Sequence, residues 1–167
     1  MNNLLKIFCF VIILCCLIVA CRKPEVLPPE PKIEFISFEY KNAADILGNR
    51  ILNGTLKFSF VDGDGDVGFG IDSASSKTVF LKKYKIINNN RQLIEQDEDL
   101  SSYKVPVFST SGNRKPLKGE IIIRSLDELP PFNINDTLMY DFYIIDRTGH
   151  VSNTETTGYI ILKNYVQ

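Results

Sequence analysis

The residues best suited to chemistry lie in one short run, Val61-Asp62-Gly63-Asp64-Gly65-Asp66-Val67-Gly68-Phe69-Gly70. Three carboxylates at alternate positions, with glycine between them, put hard oxygen ligands on one side of a backbone that is free to take positive φ. Carboxylates so crowded repel one another, and a bound divalent cation relieves that repulsion, so Ca²⁺ is the expected occupant. The spacing departs from the helix-flanked twelve-residue calcium loop, which carries Gly at its sixth position and Glu at its twelfth. Here those places hold Val67 and Ser73, and no helix flanks the run. The same residues also suit an acidic, glycine-rich turn closed by Asp side chains on backbone N–H groups, and the sequence leaves both readings standing.

Other chemistry finds little material. The chain has 167 residues with 19 Lys+Arg against 20 Asp+Glu, one His, four Cys and no Trp. A balance that close to neutral gives no electrostatic footprint for nucleic acid, which is excluded as a partner. The single His150 lies two residues from Ser152 in an expected turn, where side chains seldom converge as a nucleophile and base must. A glycosidase pair such as Asp64 with Asp146 would sit partly on a flexible Gly-rich loop, a poor place to fix the carboxylate separation that mechanism needs. No catalytic residue is assigned, and the chain is expected not to be an enzyme. Sugar binding usually uses a Trp platform; without Trp, the aromatics open to that role are Phe69 and Tyr103, both equally suited to covering sheet ends.

The N-terminus says where the protein is expected to work. A basic start at Lys6 precedes the apolar run Ile7 to Ala20, the grammar of an export signal. As a helix, fourteen residues at 1.5 Å each span roughly 21 Å, too short for a hydrocarbon core of about 30 Å, so cleavage is expected rather than a permanent span. Ile18-Val19-Ala20-Cys21 resembles the lipobox of bacterial lipoproteins. That resemblance implies cleavage after residue 20, acylation of Cys21 and an anchor of several chains, each worth about 0.8 kcal/mol per buried CH₂. Cys9, Cys15 and Cys16 then leave with the leader and Cys21 is consumed as a thioether, so the mature body has no disulfide available and must be held by its core. Loss of Lys6 with the leader leaves 18 basic against 20 acidic side chains, with no pull toward an anionic surface. Residues 21–31 carry Pro24, Pro28, Pro29 and Pro31 and read as an extended spacer, at about 3.1 Å per residue some 30 Å long. Bacteroidota lipoproteins carried to the cell surface often show Lys or Gln and then acidic residues here. Arg22-Lys23-Pro24-Glu25 matches that in part and leaves the periplasmic and surface faces of the outer membrane both open.

Residues 32–167 read as one all-β domain. Leu56, Phe58 and Phe60 alternate with Lys57 and Ser59, and Ile33, Phe35 and Ser37 with Glu34, Ile36 and Phe38. Further strands are expected at 78–87, 92–96, 104–108, 119–125, 138–146 and 157–165. Single helical turns are expected at 43–47 and at 126–129, the second capped by Ser125. Asn88-Asn89-Asn90 reads as a hairpin turn. About seven to nine short strands at this spacing indicate an antiparallel β-sandwich.

Asp136-Thr137-Leu138-Met139-Tyr140-Asp141-Phe142 resembles the strand F run of immunoglobulin-like domains, with Tyr140 as a tyrosine corner whose hydroxyl would bind upstream backbone. Asp146-Arg147-Thr148-Gly149-His150-Val151-Ser152-Asn153 is similar to the F–G hairpin of bacterial immunoglobulin-like domains. In such a fold the B–C and F–G loops share one end, which makes Asp146 a fourth candidate ligand beside Asp62, Asp64 and Asp66, and Asp72 a fifth. The Asp-Gly-Asp-Gly-Asp-Val-Gly string, the lipobox and the closing hairpin together resemble small lipoproteins of Bacteroidota, which implies compartment and fold but supplies no catalytic residue. Asp72-Ser73-Ala74 and Asp136-Thr137-Leu138 resemble the O-glycosylation sequon of the same bacteria. The expectation is a cleaved signal peptide at 1–20, a tether at 21–31 and an immunoglobulin-like β-sandwich at 32–167. It would serve as an envelope interaction or structural module whose partner is an envelope protein or glycan. A carbohydrate-binding or sugar-processing accessory lipoprotein is the alternative.

Overall fold

A computed structural model of the chain describes residues 27–69, 77–97, 101–107 and 115–165, together with Asn3. The rest of the leader, the lipobox with Cys21, the first part of the tether, and the candidate residues Asp72 and Ser73 lie outside the described residues.

The described chain is almost entirely β and forms two antiparallel sheets. β1 (Lys32–Ala44), β2 (Arg50–Asp62) and β6 (Leu117–Ile123) make a three-stranded sheet in the order β1-β2-β6. The second sheet runs β4-β3-β7-β8, from β3 (Val79–Ile87), β4 (Asn90–Ile94), β7 (Thr137–Ile144) and β8 (Glu155–Thr156). β5 (Ser102–Tyr103) adds to β3 and β9 (Ile160–Ile161) adds to β7. A single 3-10 turn, Leu162–Asn164, follows β9.

Period-two alternation decides which side chains meet between the sheets. Along β2 the inward residues are Leu52, Gly54, Leu56, Phe58 and Phe60; along β7 they are Leu138, Tyr140, Phe142 and Ile144. The two sets interlock. The rings of Phe58 and Phe142 lie 5.0 Å apart across the interface, and Phe38 stacks on Tyr140 at 5.4 Å. Side chains of this size each contribute about 1.5–3 kcal/mol on burial, and in a body without cystines this contact carries the fold.

Several expectations about elements are corrected. The segment 43–47 is not a helical turn: β1 continues to Ala44, and Asp45 then closes a hairpin by accepting the Leu47 and Asn49 N–H groups at 2.9 and 2.8 Å. Five residues cannot nucleate a helix against a strand partner that offers a full ladder. Nor is 126–129 helical. Ser125 takes φ 61°, and the following residues run extended beside β2, with Leu126 N–H on Gly54 O and the Leu52–Glu128 bridge. The expected strand 157–165 begins two residues earlier, at Glu155, and is broken. Glu155 and Thr156 pair with Phe142 and Asp141, whereas Ile160 and Ile161 pair with Leu138 and Thr137, so one extra residue bulges between them. Among the described residues, the strand expected at 104–108 is reduced to the short β5 at 102–103 plus a Phe69–Pro106 bridge. The Asn turn holds, with Asn88 and Asn89 at φ 50° and 61°.

Candidate metal centre

Alternation also explains the acidic site. Asp62 occupies the next inward place on β2 after Phe60, and Asp146 the next inward place after Ile144, so both carboxylates turn in at one end of the sandwich. Asp62 is 0% exposed, Asp146 1% and Asp66 4%; Asp64 is half-buried. One carboxylate oxygen from each of the four lies within 4.8 Å of the others. The structure thus brings together the four residues singled out in the sequence, three from the end of β2 and its loop and one from the turn after β7.

The loop between β2 and Phe69 is held without using up its oxygens. Asp62 Oδ2 accepts the N–H groups of Asp66 at 2.7 Å and Val67 at 3.1 Å, folding the loop back on the strand end. Val67 is buried in the core, and Phe69 N–H reaches Val105 O at 2.9 Å, which fixes the far side of the loop. Gly65 takes φ 73°, and a Cβ there would collide with the Lys115 carbonyl oxygen. After this closure Asp62 Oδ1, Asp64 Oδ1 and Asp66 Oδ1 remain buried without a hydrogen-bond partner. Three sealed, unpaired carboxylate oxygens are far more than a satisfied turn leaves behind, and each is costly unless something positive meets it. The closed acidic turn accounts for Asp62 Oδ2 but not for these three atoms.

Asp146 is different. Its Oδ1 accepts Thr148 N–H at 2.9 Å, Thr148 Oγ1–H at 3.0 Å and His150 N–H at 2.9 Å, while Oδ2 lies 2.8 Å from His150 Nδ1. Burial works to raise its pKa, but the His150 and Thr148 bonds outweigh it and hold the group below the ordinary carboxylate value. Burial above all, and then the neighbouring carboxylates, push Asp62 and Asp66 the other way. His150 is raised by its bond to Asp146, with Glu30 and Asp64 adding to the effect. Sequence reasoning missed this part of the site: Thr148 and His150 orient Asp146, a role to which the Asp-x-Thr-Gly-His spacing of an Asx turn was the available signal.

The donor set suits a hard cation. Oxygens on opposite sides of a Ca²⁺ at 2.3–2.6 Å stand roughly 4.6–5.2 Å apart, so four atoms all within 4.8 Å of one another fit around one ion. Asp62, Asp64 and Asp66 offer free oxygens directly, and Asp146 offers remaining lone pairs and its charge.

Other sequence candidates fall elsewhere. Ser152 Oγ donates to Asn153 O at 2.7 Å and receives Ile144 N–H at 3.0 Å, so its hydroxyl is spent on backbone. Asp64 and Asp146 sit in the same cage with two further carboxylates. Phe69 and Tyr103 are half-buried; the cleft of about 250 Å³ between β6 and Tyr103–Pro106 has Tyr103 as its one aromatic lining residue. Tyr140 is buried, but its hydroxyl meets side chains, Glu128 Oε1 at 3.4 Å and Tyr40 OH at 3.5 Å, in place of the upstream backbone expected of a tyrosine corner. Lys83 Nζ pairs with the same Glu128 oxygen. A carboxylate shared by a lysine and two phenols draws the hydroxyl more strongly than a carbonyl does.

No helix among the described residues is long and apolar enough to cross a membrane. No protein-family model matches this chain, and no curated protein or solved structure is significantly similar to it.

Proposed function

We propose that this chain is a lipid-anchored cell-envelope protein, held in the outer membrane through Cys21. Its immunoglobulin-like domain acts as an interaction or structural module rather than as an enzyme, with Ca²⁺ stiffening the end formed by Asp62, Asp64, Asp66 and Asp146. The strand order supports the immunoglobulin-like reading: β1-β2-β6 facing β4-β3-β7-β8 corresponds to A-B-E facing C′-C-F-G, with no strand D among the described residues. The lipobox residues support the anchor. The observation that carries the calcium role is the set of three buried, unpartnered carboxylate oxygens beside the fully buried Asp146.

Extracellular calcium sites bind on the order of 0.1–1 mM. At 10 mM Ca²⁺ such affinities stabilise a fold by roughly 1.4–2.7 kcal/mol. For a domain of this size that raises the melting temperature by about 5–10 °C. Melts of the mature protein in EGTA and in 10 mM CaCl₂ test it. The shift is expected in the wild type and absent in the Asp62→Asn, Asp64→Asn, Asp66→Asn triple variant; a wild type indifferent to calcium removes the metal from the proposal.

A further inference from the structure

Residues 27–31, just before β1, pack against the domain. Pro31 is buried, and Ile33 is pinned to the β7–β8 connection in both directions, its N–H on Asn153 Oδ1 at 2.8 Å and its carbonyl receiving Asn153 Nδ2–H at 3.0 Å. Before that point Leu27 and Pro28 run over the acidic loop. Their carbonyl oxygens lie against Gly63, between Asp62 and Asp64, so closely that a Cβ on Gly63 would collide with Pro28 O and crowd Leu27 O. Two peptide carbonyl oxygens of this segment therefore border the acidic loop at Gly63, next to its half-exposed member, Asp64.

Four carboxylates giving one oxygen each supply four of the six to eight oxygens that Ca²⁺ takes, and backbone carbonyls commonly add to such a set. We propose that residues Leu27–Glu30 form a strap over the metal loop, so that cation binding and docking of the tether reinforce each other; this rests on the calcium reading above. Coupling of this kind is reciprocal: whatever the strap adds to calcium affinity, calcium adds to strap docking. The consequence is positional. With the strap docked, the link to the proposed anchor is the six residues from Cys21 to Val26. At about 3.3–3.6 Å each these span roughly 20 Å at most, against some 30 Å or more for the whole tether. Calcium would thus draw the acidic end of the sandwich down toward the anchor and fix its stance there, while the β1–β2 hairpin tip, where Ile46 and Leu47 are bare, points to the opposite end.

Two measurements on the full mature chain test the strap. In the wild type, CaCl₂ is expected to slow hydrogen exchange at the Leu27 and Glu30 amides at least fivefold. By calorimetry, Gly63→Ala, which displaces the strap without touching a ligand, and the strap variant Leu27→Gly, Pro28→Gly, Pro29→Ser, which leaves the loop intact, are each expected to weaken calcium binding at least fivefold. Wild-type affinity in the strap variant, together with tether exchange indifferent to calcium, overturns the strap and leaves the metal site standing. A wild type that binds no calcium overturns both.

Discussion

Asp62 shows how a single side chain links strand geometry to chemistry. Its place in the alternation forces a carboxylate into the interior, where one oxygen closes the loop and the other is left bare. Burial raises the midpoints of Asp62 and Asp66, so the protonated forms fit the folded state better than the ionised ones. A raised midpoint gives stability that is present below the ordinary carboxylate value and is lost as pH rises through the raised one. His150, raised by its bond to Asp146, acts with the same sign: its contribution is complete below about 6.5 and fades as pH rises through its folded midpoint. Asp146, held low, loses its contribution only in stronger acid, as pH falls through its depressed midpoint. In EGTA, Asp62, Asp66 and His150 are therefore expected to raise the melting temperature as pH is lowered from 8 toward the ordinary carboxylate value of about 3.8. Asp62→Asn should flatten that slope by supplying at every pH the neutral side chain the site prefers; an unchanged slope in this variant would contradict the assignment.

Among the elements, β2 and β7 do most to define the molecule, because each spans its sheet and leads into a cage residue. Their mutual support runs through Phe58 and Phe142, both wholly buried and in ring contact across the sheets. Phe58→Ala and Phe142→Ala are each expected to cost about 3–5 kcal/mol. Since the rings share one contact, the double variant should fall short of the sum by roughly 0.5–1.5 kcal/mol, measurable by urea unfolding at fixed calcium. Additive losses would mean that the sheets are not joined at this point. The bulge between β8 and β9 belongs to the same scale. It lets one outer strand pair with both ends of β7, while Thr157 fills the gap by donating its N–H to Tyr140 O and accepting Tyr140 N–H on Oγ1, both at 3.0 Å.

Across the molecule, the proposed anchor, strap, metal loop and sandwich end lie in series, so the acidic end is the one nearest the lipid. Replacing Cys21 with Ser is expected to move the protein from the membrane fraction to the soluble envelope fraction while leaving the calcium-induced melting shift within about 1 °C, since the anchor is six residues removed from the strap. Retention in the membrane fraction would overturn the lipid anchor. The β character of the body can be read from the residues alone, because strand alternation is local and follows from covalent geometry. The Asp-Gly repeat stands out as a ligand candidate for the same reason, since its residue types carry that chemistry wherever they fold. Local pattern could not settle whether the loop's oxygens were satisfied, which partner Tyr140 would take, where strands 155–161 would bulge, or that the tether would lie down on Gly63. Those outcomes depend on which distant segments pack into one place, and only the closing of the two sheets brought the end of β2, the turn after β7 and residues 27–30 together.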